Sequence, residues 1–254
     1  MTLVADTRAM AWRNILNIRR NPELLVFATI QPVIFVLMFR YVFGGAIQGS
    51  LPPGQTYVNY LMPGVFVQTI VFGALTTGVG LADDLHLGLI DRFRSLPISR
   101  AAVLTGRTTA DLLRNFFVVT LMMLVGFAVG WTVDTGVSAI VGSMLLLLGF
   151  AYSLSWAFAI VGLTARNSET AQAISFPFLA VMVFASSAFV PVATMPSWLQ
   201  GWAENQPVSV VINAVRQLTI TGDVTSEVWK AVAWIIGITA VCVPIAVARY
   251  RKVT

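Results

Sequence analysis

The sequence predicts an all-α polytopic membrane protein with six transmembrane helices, and three observations predict it. Six long apolar stretches are separated by short loops, and positive charge gathers on alternate loops. Only 11% of the 254 residues are charged and the mean hydropathy is +0.81, whereas a soluble domain carries about 25% charged residues. Water is therefore not the main solvent of this chain. A helix that crosses a bilayer needs roughly 20 mostly apolar residues, and the stretches fall at about 24–43, 58–82, 108–131, 137–164, 170–190 and 229–248.

Arginine and lysine set the orientation. Arg8, Arg13, Arg19 and Arg20 precede the first stretch, and Arg92, Arg94, Arg100, Arg107 and Arg114 surround the loop after the second. Arg166 lies in the fourth loop, and Arg249, Arg251 and Lys252 end the chain, which places thirteen of the sixteen on one side. Arg40, Arg216 and Lys230 fall on the other. The positive-inside bias then puts both termini in the cytoplasm of a multi-pass cell-membrane protein. The net charge of +5 is a topology signature; no basic stripe with interleaved aromatics supports a nucleic-acid partner.

Residues 1–23 are too polar for the apolar core of a cleavable signal, and the first apolar stretch runs longer than such a core. As a helix, this segment gathers Ala5, Ala9, Trp12, Ile15 and Leu16 on one side. That pattern predicts an interfacial helix against membrane lipid, broken by Asn21 and Pro22. A basic tail that only sets topology is the alternative.

The chemistry of the chain is defined by what it lacks. The single cysteine, Cys242, falls inside the last stretch, and the single histidine, His86, has neither a second histidine nor a cysteine beside it, so no metal is implied. There is no G-x-S-x-G turn for a hydrolase, and neither Lys230 nor Lys252 follows a glycine as a phosphate-binding loop requires. Ion-driven pumps place titratable groups in mid-span. Here Asp83, Asp84, Asp111, Arg114 and Glu169 all fall near the cytoplasmic ends, so the energy for any transport is expected from another protein.

The polar loop after the second stretch is where such a protein would dock. A short helix beginning near Asp84 would carry Leu85, Leu89 and Phe93 along one side. Asp83 and Asp84 suit its N-terminus, Arg92 and Arg94 its C-terminus, and Pro97 ends it. An exposed apolar ridge of this kind fits a docking knob; an ordinary interfacial loop helix is the other reading.

The run Gly88-Leu89-Ile90-Asp91-Arg92-Phe93-Arg94-Ser95-Leu96-Pro97-Ile98-Ser99-Arg100, followed by Val103 to Arg107 and Asp111-Leu112, resembles the cytoplasmic signature of type-2 ATP-binding-cassette permeases of the daunorubicin-resistance type. A second similarity lies in Phe189-Val190-Pro191, Met195 to Gln200, Asn205 to Pro207 and Ala214-Val215-Arg216. Gln206 departs from it, because the family usually has adjacent Asn-Pro. The resemblance covers essentially the whole chain. It implies one permease domain over 1–254 that pairs with a second identical or homologous copy and binds cytoplasmic ATPase subunits, which carry the ATP and Mg. It places a coupling helix at 84–100, with Asp84, Gly88, Leu89, Asp91, Arg92, Phe93, Arg94, Leu96 and Pro97 as the ATPase contact.

The segment 191–227 is too long for a turn and is punctuated by Pro191, Pro196 and Pro207, while Trp198, Leu199 and Trp202 favour interfacial depth. The resemblance implies a re-entrant helical hairpin there, with Asn213, Arg216 and Gln217 lining the outer exit. Arg216 pairing with Glu204 or Asp223, or extending to the outer headgroups, stands beside that reading. Pro32, Pro177 and Pro244 can kink their helices, with packing the default role of each. The function expected is a non-catalytic permease that exports an amphipathic drug or lipid-like molecule. A polysaccharide or glycolipid permease, a lipid-modifying enzyme and a channel are the alternatives.

Overall fold

The computed structural model describes residues 22–51, 54–87 and 100–253. The expected interfacial helix at 1–23 therefore falls almost wholly outside the described residues. So does the coupling stretch that holds Gly88, Leu89, Asp91, Arg92, Phe93, Arg94, Leu96 and Pro97.

The described chain is helical. In order, α1 is Pro22–Met38, continuing through a π turn at Phe39–Phe43 into α2 at Gly44–Gln48. Then come α3 Tyr57–His86, α4 Arg100–Val129, α5 Val137–Thr164, α6 Ser168–Phe184, α7 Ser197–Asn205, α8 Pro207–Ile220 and α9 Ser226–Val253. Among the described residues, five helical stretches are long and apolar enough to cross a membrane: Thr29–Gln48, Tyr57–His86, Thr105–Val129, Val137–Thr164 and Ser226–Arg251. Helices α6 and α8 are apolar but shorter.

Local chemistry sets the boundaries. Thr56 caps α3 by accepting the Asn59 amide, and Asn167 caps α6 by accepting the Thr170 amide. Gln206 is extended, as a residue before proline prefers, and Pro207 opens α8 at its first position, where no amide donor is needed.

Helix α3 is the axis of the fold. Of its most apolar window 72% is buried, against 11% for α9. It packs on α5 with backbone nearly touching backbone: a Cβ at Gly162 would stand 2.3 Å from the Gly78 carbonyl oxygen. Closer to Tyr57, a Cβ at Gly64 would stand 2.3 Å from the Ala188 oxygen. Only glycine permits these two approaches.

The structure differs from the sequence reading in three places. The fifth stretch, expected to run to 190, stops as a helix at Phe184. At about 1.5 Å per residue its 17 residues rise about 26 Å, short of a hydrocarbon core about 30 Å thick. The segment 185–190 leaves the helix because other groups take over its backbone partners. The Ser186 hydroxyl donates to Val183 O (2.6 Å) and accepts from the Ala188 amide (3.2 Å), and the Ser187 amide donates to Ser209 Oγ (3.1 Å). Next, α3 continues through Asp83 and Asp84 to His86, so these acids sit in its last turns and not at the start of a separate helix. Finally, α4 begins at Arg100, earlier than the apolar stretch, because Arg107 and Asp111 find partners on α3.

Candidate functional site: two polar centres on one helix

The first centre surrounds the Tyr57 end of α3. Tyr57 and Tyr60, one turn apart and both buried, aim their hydroxyls at the non-helical segment. Tyr57 donates to Phe189 O (3.0 Å) and Tyr60 to Ser187 O (3.1 Å). Arg216, on α8, donates through Nη2 to Ser187 O (2.8 Å) and Tyr60 O (3.0 Å), and through Nη1 to Asn213 Oδ1 (2.8 Å). Its guanidinium carbon stands 3.7 Å from the centre of the Tyr60 ring. Gln206 Nε2 donates to Ala185 O (2.8 Å). The carbonyls freed where α6 ends are thus taken up by side chains from α3 and α8, as backbone removed from water requires. Stacked phenylalanines fasten the same segment on its other side: Phe189 lies 4.4 Å from Phe39 and 5.4 Å from Phe184, centre to centre.

A cavity of about 470 Å³ opens beside this node, lined by Tyr60, Ser187, Asn213 and Arg216 together with Glu204, Glu227 and Lys230. Lys230 pairs with Glu227 at 2.7 Å. Of the three residues the sequence nominated here, Asn213 and Arg216 come together and Gln217 does not. Gln217 Oε1 instead accepts from the Thr225 hydroxyl. Carbonyl and amide oxygens hold Arg216, not the carboxylate of Glu204 or Asp223. Sequence reasoning missed Tyr57, Tyr60, Ser187 and Gln206. The signals were an i, i+3 tyrosine pair at the head of an apolar stretch and two adjacent serines inside another.

The second centre is a ladder near the Asp84 end, between α3 and α4. Arg107 Nη1 pairs with Asp84 Oδ2 at 2.5 Å, and the fully buried Thr77 donates to Asp111 Oδ2 at 2.6 Å. Arg114 donates to Gly73 O (2.7 Å) and to the Thr76 hydroxyl, with Asp111 at 3.7 Å. As α4 advances from 107 to 111 to 114, its partners step back along α3 from 84 to 77 to 73. This is the register of two antiparallel helices in continuous contact. Ser155 joins from α5, 3.5 Å from the Thr77 hydroxyl. The two helices tied in this way are those that flank residues 88–99.

Several apolar helices long enough to cross a bilayer define a multi-pass membrane protein. Residues 5–220 match the ABC-2 type transporter family, and the chain belongs to that family. It is 34% identical over 251 residues to the daunorubicin resistance ABC transporter permease protein DrrB1 of Streptomyces coeruleorubidus, covering 99% of this chain and 88% of that one. It is 25% identical over 254 residues to the probable doxorubicin resistance ABC transporter permease protein DrrC of Mycobacterium tuberculosis, covering 99% and 90%. To the putative transport permease ycf38 of Pyropia yezoensis it is 28% identical over 225 residues, covering 85% and 75%. The chain is therefore the non-catalytic permease component of an ATP-binding-cassette transporter, and ATP is hydrolysed by a separate ATPase partner.

Proposed function

We propose that this permease exports an amphipathic, drug-like or lipid-like molecule across the cell membrane, driven by ATP hydrolysed on cytoplasmic subunits that grip residues 84–100. The observation that carries the proposal is the single unbroken helix α3. One end joins the ladder that flanks the loop nominated as the coupling segment, and the other joins the Arg216 node beside a 470 Å³ cavity. Force delivered to the loop reaches α3 and α4 together, because both helices carry rungs of the ladder. The far end of α3 then moves the 185–190 segment and the wall of the cavity.

In this reading both termini are cytoplasmic, in agreement with the placement of arginine and lysine. The whole of 1–254 is one permease domain, with 1–23 lying at the interface and α6 serving as the fifth of six crossings. Segment 191–227 forms the outer re-entrant hairpin, and two permease copies pair to enclose the route. Asn213 and Arg216 border the exit. Asp91, Arg92 and Arg94 contact the ATPase, while Leu89 and Phe93 fill its groove. The relatives' names, daunorubicin and doxorubicin resistance, favour a planar amphipathic cargo.

The test is reconstitution of the chain with its cognate ATPase in liposomes loaded with doxorubicin. ATP-dependent efflux is expected, and Asp91→Ala with Arg94→Ala lowers efflux and stimulated ATP turnover at normal membrane insertion. Efflux that persists without the ATPase indicates a channel. Unchanged efflux in the double variant removes the coupling assignment.

A further inference from the structure

The cavity of about 470 Å³ beside Arg216 holds charges that its own side chains do not pair. Arg216, Lys230, Glu204 and Glu227 all line it. Lys230 and Glu227 satisfy each other at 2.7 Å. Arg216 sends its Nε proton to Tyr60 O, its Nη2 protons to Tyr60 O and Ser187 O, and one Nη1 proton to Asn213 Oδ1. Of the five protons that a guanidinium carries, one on Nη1 remains to be offered. The charge meets dipoles and a ring face but no carboxylate. Glu204, exposed near the end of α7, has neither an ion pair nor a hydrogen bond among the described residues. A cation drawn out of water without a counter-ion is costly, and here a cation and an anion face one cavity without meeting. A ligand that carries both signs completes both, with its anionic group against the half-buried Arg216 and its cationic group at the rim against Glu204.

The surroundings of the cavity indicate the depth at which such a ligand lives. Helix α7, which carries Glu204, also carries Trp198 and Trp202, and the first turn of α9, which carries Glu227 and Lys230, also carries Trp229. These three tryptophans are all exposed. Exposed tryptophan on an apolar bundle sits at the level of lipid headgroups. The molecules that offer an anion and a cation together at that level are zwitterionic phospholipids.

We propose that this cavity holds the headgroup of a resident phospholipid of the phosphatidylethanolamine kind. Its phosphate accepts from Arg216, a charge-assisted bond of the stronger class, and its ammonium donates to Glu204. Through Arg216, which also holds Ser187 O, the bound headgroup braces the 185–190 segment. The site stands independently of what the permease exports.

The experiment uses the full chain with its ATPase, stripped of co-purified phospholipid in the non-ionic detergent dodecyl maltoside, and calorimetric titration with two soluble lipids. Dihexanoyl phosphatidylethanolamine carries both charges, and dihexanoyl phosphatidylglycerol carries only the anion. The net charge of +5 favours the anionic lipid over the rest of the chain, so a preference for the zwitterion isolates this site. Saturable binding of the ethanolamine lipid is expected at least threefold tighter than that of the glycerol lipid. Glu204→Gln weakens the ethanolamine lipid about two- to fivefold, the worth of one exposed ion pair, and removes the preference, while Glu204→Asp keeps it. Arg216→Lys, which retains the charge and loses the fork of donors, weakens both lipids about tenfold. Should Arg216→Lys fail to fold, the Glu204 pair still decides the matter. Equal affinities for the two lipids in the wild type, or an unchanged preference in Glu204→Gln, overturns the site. Bound ethanolamine lipid that leaves only while ATP is turned over marks a carried molecule and overturns its assignment as resident.

Discussion

The two ends of α3 stabilise partly buried cations in different ways. At the Tyr57 end Arg216 rests on dipoles and a ring face: two backbone carbonyls, one amide oxygen and the Tyr60 aromatic. At the Asp84 end Arg107 and Arg114 stand beside carboxylates. The difference lies in what each arrangement leaves behind when it opens. Releasing Arg216 leaves its own cation without acceptors and leaves Ser187 O, in a segment that has already departed from its helix, with the Tyr60 hydroxyl alone. Parting Asp84 from Arg107 leaves two side chains, each about one-fifth exposed, that water can solvate. The first arrangement suits a fixed framework. The second suits a joint that moves.

The strongest challenge to this contrast is Arg216→Ala. It removes the donors to Tyr60 O, Ser187 O and Asn213 Oδ1 at once, and a loss of about 3 to 5 kcal/mol is expected, read as a lower thermal midpoint and a lower yield of folded protein in detergent. Arg216→Lys should recover less than half of that loss, because an ammonium cannot span acceptors in several directions. A midpoint unchanged by Arg216→Ala would make the residue a pathway group alone.

Gly162→Ala and Gly64→Ala come next. Each forces backbone apart where a Cβ would stand 2.3 Å from a carbonyl oxygen, with an expected cost of about 2 to 3 kcal/mol. The same melting measurement separates them from Gly45→Ala, whose Cβ meets nothing within 4 Å. Thr77→Val should lower stability by about 1 kcal/mol, since it removes the Thr77 hydrogen bond to Asp111 Oδ2. Thr77→Ser should be neutral. The smallest change in stability, less than about 1 kcal/mol, is expected of Asp84→Asn. It should nonetheless lower ATP-driven efflux severalfold, and the exchange Asp84→Arg with Arg107→Asp should restore much of it. A double-mutant cycle with zero coupling energy would show that the Asp84 end is no joint.

Much of this was legible in the chain itself. Apolar runs of the right length located α3, α5 and α9 closely, because a bilayer tolerates little else as a spanning element. Asn213 and Arg216 were also readable, since an arginine in an apolar helix needs a reason to be there. Gln217 shares that helix with Arg216, yet its partner is Thr225, a matter of side-chain direction that composition does not carry. Tyr57 and Tyr60 were passed over, because their role needs acceptors about 130 residues away in the chain.

Sequence alone determined that this chain is a bundle of apolar helices, which side its positive charge favours, and that it holds no phosphate-binding loop of its own. These follow from solvent preference and residue count, which act locally. Tertiary structure decided where the fifth helix breaks and what Arg216 touches. The run 168–190 is uniformly compatible with helix, so its end is set only where Gln206, Ser209, Tyr57, Tyr60 and Arg216 converge from distant helices to take over its backbone hydrogen bonds.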